Sequence, residues 1–341
     1  MSFSPWKVEQ IFSAERIPPP VSERRTRLFA ARILAAILAA IGLALVLPAL
    51  ASASYGWPIK PFGQEHPVRG QLNDPRMNGL DLYSSSSRSF HFGVDIVAPD
   101  GTPVYSVVPG RVVYRNSSAI AVRTSGTATS NFAYWHIRPA VKNGKKVKLR
   151  ALLGYIAPGY GHVHFAENRN GRYVNPLRRG ALTPYNDTAA PTIASLGYYD
   201  STYHDLADRT LAGTVGLTVN AFDTPQLLSN WAWAVTTPAR IDWKLSDARG
   251  LKITVGHWDL GSALSTLDPL TVFAPGTSKN SFINNVGGAG SYNYWLGPRW
   301  DTTKVADGAY RLLVTASDIR GNATTQSVDF LVANIATAPA E

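Results

Sequence analysis

Short apolar runs separated by turn residues constrain the fold of this chain more than any other feature of its sequence. Val104–Val108, Gly110–Tyr114 and Ala119–Val122 are such runs, and a Pro-Asp-Gly turn precedes the first of them. Farther on, apolar residues recur at every second position in Val215–Ala221 and Leu312–Ala316. Successive side chains of a strand point to opposite faces, so this period indicates half-buried strands. The sequence therefore predicts an all-β fold.

Residues 1–54 form a leader that we exclude from the fold. Several arginines precede an apolar run from Ile33 to Leu50, and small residues that fit an Ala-x-Ala cleavage site follow. This pattern is typical of a secretory signal peptide and predicts export to the periplasm, the cell envelope or the extracellular space. Residues 33–50 are also just long enough to anchor the chain in a membrane, and either alternative implies an N-terminal hydrophobic helix.

The remaining sequence is long enough for two domains, which we expect at residues 55–183 and 188–334. Within the second, residues 256–303 are rich in glycine, asparagine and aromatic residues and exceed what a β-sandwich needs. We expect their aromatic side chains to pack on the sandwich, and a contact surface is the alternative. The absence of cysteine excludes disulfide and thiol chemistry.

The stretch Phe90–Ile96 combines strand period with metal-ligand chemistry. The alternation predicts that Phe92 lies on the core face, whereas His91, Gly93 and Asp95 lie on the other face. In a straight strand His91 and Asp95 would be about 13 Å apart, but bonds to zinc are only about 2.0–2.2 Å long. A shared metal therefore requires a bend, which Gly93 permits. The alternative is a strand that ends in a solvated histidine and a turn aspartate.

Four of the seven histidines lie in strand-like stretches of the first domain, and core filling does not predict this clustering. They are His91, His136, His162 and His164. Two imidazoles and a carboxylate that face one groove have the composition of a zinc site, in which a catalytic centre keeps one position for water. These residues alone do not decide whether His162 or His164 would bind the metal.

Three motifs together resemble the lysostaphin/LytM-type zinc endopeptidases of bacterial cell walls, over about residues 57–179. They are His91-x3-Asp95, Tyr134-x-His136 and His162-x-His164-Phe165. The resemblance implies the duplicated hybrid motif, a small antiparallel β fold with its site in a long groove. It also implies Zn²⁺ bound by His91, Asp95 and His164, and catalysis assisted by His136 and His162. Separately, Asp307–Asn322 resembles a strand and turn of bacterial immunoglobulin-like or fibronectin type III sandwiches.

Two departures from that family pattern concern the surroundings of the site. The turn Ile156–Gly161 is short for the family, which puts the choice of substrate in doubt. Ala166 stands where the family usually has glutamate, and Glu167 follows one place later. Because a shift of one residue reverses the face of a strand, we expect Glu167 to be solvated and not to act as a base. Two aspartates near turns, Asp223 and Asp318, are expected to cap those turns, with calcium binding as the alternative.

The expected function is that of an exported zinc metalloendopeptidase that hydrolyses peptide cross-links of peptidoglycan. The chain has no His-Glu-x-x-His motif, so an imidazole must take the proton of the water or stabilise the tetrahedral oxyanion. The alternatives are a catalytically silent envelope scaffold or activator of another cell-wall hydrolase, and a peptidase of the same type directed at host matrix or elastin. The net charge is +10 for the whole chain and +7 past residue 54, where 27 basic residues stand against 20 acidic ones. This charge is consistent with attraction to anionic wall polymers or lipid headgroups, or simply with solubility. Nucleic acid is not an expected partner, because no basic run with interleaved aromatic residues occurs.

Overall fold

The computed structural model describes residues 54–76, 89–124, 130–200, 209–225, 227, 235–277 and 291–334. The predicted leader helix lies outside these ranges. The described residues belong to one compact unit that spans residues 52–341, and strands dominate it, which confirms the prediction of a mainly β protein. In the part of the chain described, no helix has the length and apolar character that a membrane span requires.

The N-terminal part is built from short strands. In chain order they are β1 (Val68–Gly70), β2 (Pro75–Arg76), β3 (Ser89–Phe90), β4 (Val94–Val97), β5 (Pro103–Tyr105), β6 (Gly110–Arg115), β7 (Ala119–Thr124), β8 (Ser130–Trp135), β9 (Ile137–Pro139), β10 (Lys146–Val147), β11 (Leu152–Ile156), β12 (His162–Arg169) and β13 (Arg172–Val174).

A large antiparallel sheet carries most of these strands, in the order β1-β4-β12-β8-β7-β6-β10, and β13 pairs with β12. A smaller sheet has the order β5-β11-β9, and β2 pairs with β3. Strand β12 lies between β4 and β8, so both of its edges are hydrogen-bonded. One hydrophobic cluster supports the two larger sheets, with Val94, Ile96, Val163 and Phe165 inside it.

The C-terminal part has longer strands and two short helices. They are β14 (Thr192–Tyr199), β15 (Thr210–Leu211), β16 (Thr214–Phe222), β17 (Arg240–Asp247), β18 (Lys252–Asp259), the helix α1 (Pro269–Val272), β19 (Asn293–Trp295), β20 (Trp300–Asp301), a 3₁₀ helix (Thr302–Lys304), β21 (Gly308–Ser317) and β22 (Ala323–Val332). Pro269 starts α1, and the Asp268 side chain accepts a hydrogen bond from the Leu270 amide as its N-cap.

Two sheets share the second hydrophobic cluster. One has the order β14-β16-β19, with β20 also paired to β16, and the other has the order β15-β22-β21-β17-β18. The alternation predicted from the sequence is confirmed, because Val215, Leu217, Val219 and Ala221 of β16 and Leu312, Val314 and Ala316 of β21 are all buried in this cluster. In β21 burial alternates with this period, because one strand face packs into the cluster. In β16 the other face is buried as well at Gly216 and Thr218, so this strand is not half-buried as predicted.

The described aromatic residues of the 256–303 segment pack inward, as predicted. Phe273, Tyr292 and Tyr294 are fully buried in the second cluster, and Trp258 and Trp300 pack against it. Phe282 lies outside the described residues. Phe90, at the end of β3, also belongs to this cluster and contacts Phe273, with ring centroids 5.4 Å apart. The strand that leads into His91 is therefore supported by the C-terminal part.

Candidate metal centre and active site

The register between β12 and β4 brings the first two site residues together. His164 pairs directly with Asp95, and Val163 pairs with Ile96. Directly opposed residues of an antiparallel pair have neighbouring side chains on the same face. Nδ1 of His164 consequently lies 3.1 Å from Oδ1 of Asp95.

His91 reaches the same point because the chain bends between β3 and β4. Its Nε2 lies 3.1 Å from Oδ1 of Asp95 and 2.7 Å from Nδ1 of His164. The predicted bend is confirmed, although its reason differs from the expected one. Gly93 has no positive φ; instead, a Cβ atom there would lie 2.4 Å from the Phe165 carbonyl oxygen and 2.8 Å from Nε2 of His164. Glycine is needed because two strands approach closely there.

The same bend makes one sequence prediction wrong. Phe92 does not lie on the core face with Val94 and Ile96, because the alternation is interrupted between His91 and Gly93. Its half-buried ring contacts His164 instead, with centroids 4.3 Å apart, and also contacts Trp135 and Tyr173. Phe92 thus forms part of the wall of the site.

The three atoms that converge here fit a zinc ion. One donor atom from each of His91, Asp95 and His164 lies close to the other two, and all three side chains are buried. Ligands at 2.0–2.1 Å in a tetrahedral site are about 3.3 Å apart, close to the observed spacing. Nδ1 of His91 lies 2.8 Å from the carbonyl oxygen of Gln71. Donation of its proton to that carbonyl directs the lone pair of Nε2 toward the other two donors, as in metal-bound histidines.

The electrostatics also suit a divalent cation. Burial lowers the pKa of His91 to about 4 and lowers the pKa of His164 as well, so both imidazoles are neutral at pH 7 and can act as ligands. Burial alone would raise the pKa of Asp95, but the imidazoles of His91 and His162 outweigh it and hold this pKa well below its ordinary value. Nη2 of Arg76 donates to Oδ2 of Asp95 over 2.8 Å, which leaves Oδ1 facing the histidines.

His136 lies where the chain passes from the large sheet to the small one, between β8 and β9. Its φ of 64° is in the left-handed region, which is costly for a residue with a Cβ atom and often marks a functional site. The imidazole stacks on Tyr160, with centroids 4.3 Å apart and an interplanar angle of 19°. Burial lowers the pKa of His136 to about 3, so this imidazole is also neutral at pH 7.

His162 completes the group on the same face of β12 as His164. Its ring centroid lies 4.7 Å from that of His136, and its Nε2 lies 3.5 Å from Oδ1 of Asp95. Nη2 of Arg69 lies 2.6 Å from Nδ1 of His162, and the Tyr160 carbonyl oxygen lies 2.7 Å from the same nitrogen. The ring is therefore held at its Nδ1 edge. The structure brings all five residues singled out in the sequence into one cluster.

Several residues around the cluster were not identified from the sequence. Arg69, Gln71 and Arg76 contact His162, His91 and Asp95 respectively. They lie in a segment rich in proline, glycine and asparagine that indicates only loops and short strands. No local pattern marks their roles, because their partners are distant in the sequence.

Neighbouring residues tie this segment to the C-terminal part. Nδ2 of Asn73 donates to the carbonyl oxygens of Leu260 and Ala263, each over 2.8 Å. Oδ1 of Asp74 accepts from the Thr237 amide over 2.7 Å. The loop that contacts His91 is therefore fixed by the site residues on one side and by the C-terminal part on the other.

The position of Glu167 also differs from the expected one. It is fully buried rather than solvated, and it accepts hydrogen bonds from Tyr55, Arg169 and Arg178. Its oxygens are occupied by these donors within the N-terminal part, so Glu167 is still excluded as a base, but for a different reason from the predicted one. The short turn Ile156–Gly161 keeps its place beside the site, because the Tyr160 ring covers His136.

Comparison with known proteins assigns this domain to a class. The family model described as Peptidase family M23 matches residues 89–176, which contain the entire five-residue cluster. These residues form an M23 metallopeptidase domain of the LytM/lysostaphin type, and its His-Asp-His group is a candidate zinc site.

Solved structures give distant matches. A zinc-containing peptidase from Vibrio cholerae is 20% identical, over 36% of this chain and 39% of that one, with a TM-score of 0.30. The catalytic domain of the prophage-encoded M23 protein EnpA from Enterococcus faecalis is 26% identical, over 38% and 99%, with a TM-score of 0.26. The M23 metalloprotease pseudoalterin, from the deep sea, is 18% identical, over 44% and 85%, with a TM-score of 0.26. The chain thus spans well under half of the Vibrio cholerae peptidase.

Proposed function

We propose that this protein is an exported zinc endopeptidase that hydrolyses peptide cross-links of bacterial peptidoglycan. The observation that carries the proposal is the convergence of His91, Asp95 and His164 on one point, with the imidazoles of His136 and His162 beside them. M23 peptidases as a family act on the cell wall, and the leader pattern of residues 1–54 supports export.

His91 (through Nε2), Asp95 (through Oδ1) and His164 (through Nδ1) would hold the zinc ion. Zinc in such a site polarises a carbonyl group and lowers the pKa of water to about 7. Gln71 orients His91, and Arg76 occupies the second oxygen of Asp95, so the metal residues are fixed before substrate binds.

His136 and His162 would carry the proton transfers. Each can accept a proton from the attacking water or donate a hydrogen bond to the oxygen that gains charge. The low pKa of His136 keeps its imidazole unprotonated at neutral pH, and the Tyr160 ring limits its motion. Arg69 and the Tyr160 carbonyl oxygen contact His162 at Nδ1, and its Nε2 lies 3.5 Å from Oδ1 of Asp95 and 3.3 Å from Nη2 of Arg69. Neither role requires a carboxylate base, and Glu167 is occupied elsewhere.

We also propose that the two parts of the chain have different functions. Residues 55–183 would form the peptidase domain and residues 188–334 an immunoglobulin-like sandwich that positions it. Two separate hydrophobic clusters and the two facing sheets of the second part support this division. The hydrogen bonds of Asn73 and Asp74 give the sandwich a direct means of supporting the loop behind His91.

The test compares His136→Ala with the unmodified protein, and exposed His257 supplies the matched control His257→Ala. Loss of a general acid–base group lowers turnover by about 10²–10⁴-fold. We therefore expect His136→Ala to retain one equivalent of zinc by elemental analysis and to lose release of muropeptides from purified cell walls, followed by mass spectrometry. His257→Ala should match the unmodified protein in both assays. Loss of zinc in His136→Ala would refute the assigned roles. A zinc-loaded parent that releases nothing from any cell wall would favour a scaffold.

A further inference from the structure

Three aspartates converge at a second place, away from the peptidase site. Asp187 lies in the segment that joins the two parts of the chain, Asp223 directly follows β16, and Asp318 directly follows β21. One carboxylate oxygen of each lies within 4.8 Å of one oxygen of each of the others. All three residues are buried, with exposed fractions of 5%, 1% and 5%.

The three carboxylates differ in their hydrogen bonds. Oδ1 of Asp318 accepts from the amides of Arg320, Gly321 and Asn322, so the predicted turn cap is confirmed for this residue. Asp187 accepts from the Ala189 amide and the Tyr185 hydroxyl.

Asp223 caps nothing. Both of its oxygens are buried and neither makes a hydrogen bond of good geometry, although the amides of Thr224 and Gln71 lie near enough to lower its pKa somewhat. Its backbone is held by the pair of hydrogen bonds with Thr236. A buried carboxylate with so little hydrogen bonding is costly unless a positive charge or a proton neutralises it. The turn-cap prediction is therefore wrong for Asp223.

No side-chain cation supplies that charge within the described ranges. The charge of Arg320 lowers the pKa of Asp187 but is not among the causes of the shift at Asp223. Its Nε and Nη2 donate to the Tyr185 carbonyl oxygen, and its guanidinium lies over the Tyr185 ring at 4.7 Å. Burial, followed by the charges of Asp187 and Asp318, raises the pKa of Asp223 to about 8, and the amides of Thr224 and Gln71 offset only part of this. Burial likewise raises the pKa of Asp187.

We propose that Asp187, Asp223 and Asp318 bind a calcium ion that joins the linker segment to the ends of two sandwich strands. Calcium binds carboxylate oxygens at 2.3–2.6 Å, so two ligand oxygens of one ion are at most about 5 Å apart, and the observed cluster falls within that limit. A set of oxygens alone disfavours zinc, which prefers nitrogen and sulfur ligands, but suits both calcium and magnesium. Calcium is proposed because it accepts a flexible geometry, whereas magnesium requires a nearly ideal octahedron. Asp187 also lines a surface pocket, together with Tyr185, Asn322 and the two arginines Arg179 and Arg320.

The test is a calcium titration of the full zinc-saturated chain, by isothermal titration calorimetry and thermal unfolding. We expect one equivalent of calcium to bind, and a free concentration of 100 times Kd to raise Tm by roughly 5 °C. Asp223→Asn, which retains the shape but removes the charge, should abolish binding and the shift while retaining zinc. Asp329→Asn, at an exposed ion pair with Arg311, is the matched control and should keep both.

Calcium binding by the unmodified chain decides the question even if Asp223→Asn fails to fold. Absence of binding and of a Tm shift in the unmodified chain would overturn the proposal and leave three carboxylates that share a proton. An equal shift with magnesium would overturn the assignment to calcium. Retention of the calcium effect by Asp223→Asn would overturn the residue set. None of these outcomes depends on peptidase activity, so the proposal stands or fails independently of the proposed function.

Discussion

Replacement of Glu167 by glutamine tests how much the buried ion pair of this carboxylate with Arg178 stabilises the fold. Glu167 is fully buried on β12, three residues beyond His164, and it accepts from Arg178 through both guanidinium nitrogens, over 2.7 and 2.9 Å. Tyr55 and Arg169 donate to it as well, each over 2.5 Å. Glutamine preserves the size of the side chain but removes the charge and leaves Arg178 without its counterion.

The expected cost follows from that geometry. Removal of one partner from a buried, hydrogen-bonded ion pair costs about 3–5 kcal/mol, whereas a solvated glutamate would cost less than about 0.5 kcal/mol. The half-buried positions of Arg169 and Arg178 place this case at the lower limit, so we expect a loss of about 3 kcal/mol and a fall in Tm of roughly 6 °C.

The dependence of this effect on pH is fixed by the pKa of Glu167. Burial alone would raise this pKa, but the hydrogen bonds from Arg178 and Tyr55 and the charge of Arg178 lower it overall. A carboxyl whose folded pKa is lowered binds fewer protons in the folded state, so its stabilising contribution is complete above the unfolded pKa. It is lost as the pH falls below about 4.3 toward the folded value.

The assay is urea unfolding of the unmodified protein and of Glu167→Gln at pH 7, 5, 4 and 3. The difference in unfolding free energy should be constant from pH 7 to pH 5 and should shrink at pH 4 and 3. Asp329→Asn, which breaks an ion pair that is more than half exposed, is the control and should cost less than about 1 kcal/mol. A cost for Glu167→Gln no larger than that of the control, or a difference that grows on acidification, would refute the reasoning. Lost turnover with unchanged stability would instead assign Glu167 a catalytic role.

Two further changes probe the site itself. Gly93→Ala introduces a Cβ atom 2.4 Å from a backbone oxygen, so we expect this variant to lose zinc, as measured by elemental analysis. Gly63→Ala is the control and should retain zinc, because no atom lies within 4 Å of the added carbon. Full zinc occupancy in Gly93→Ala would contradict the close approach. Tyr160→Ala removes a ring contact with His136 worth about 0.5–1.5 kcal/mol, so kcat should fall roughly 2- to 12-fold with zinc retained. Tyr155→Ala, which removes another exposed tyrosine, is the control for Tyr160→Ala. Equal kcat values for these two variants would show that stacking on Tyr160 does not position His136.

The five candidate site residues could be proposed from the sequence because their types and spacing are local features of three short stretches, and the structure brings them together. The same holds for the strands of the C-terminal part, whose buried faces follow directly from the alternation in β16 and β21. Prediction failed where a local pattern was interrupted or where a partner was distant. Phe92 follows a bend that restarts the alternation, and Glu167 is buried by Tyr55 and Arg178, of which Tyr55 lies 112 residues away in the sequence.

The sequence by itself determined which side chains can serve as metal ligands and which faces of the strands are apolar, because residue type and a period of two are properties of single segments. Only the tertiary structure decided that His164 stands opposite Asp95, that Gln71 and Arg69 orient the histidines, and that three aspartates meet beside the linker. The physical reason is that strand pairing and core packing bring together residues far apart in the chain. A strand shows in its sequence which face is buried, but its partner and register depend on the packing of the whole domain.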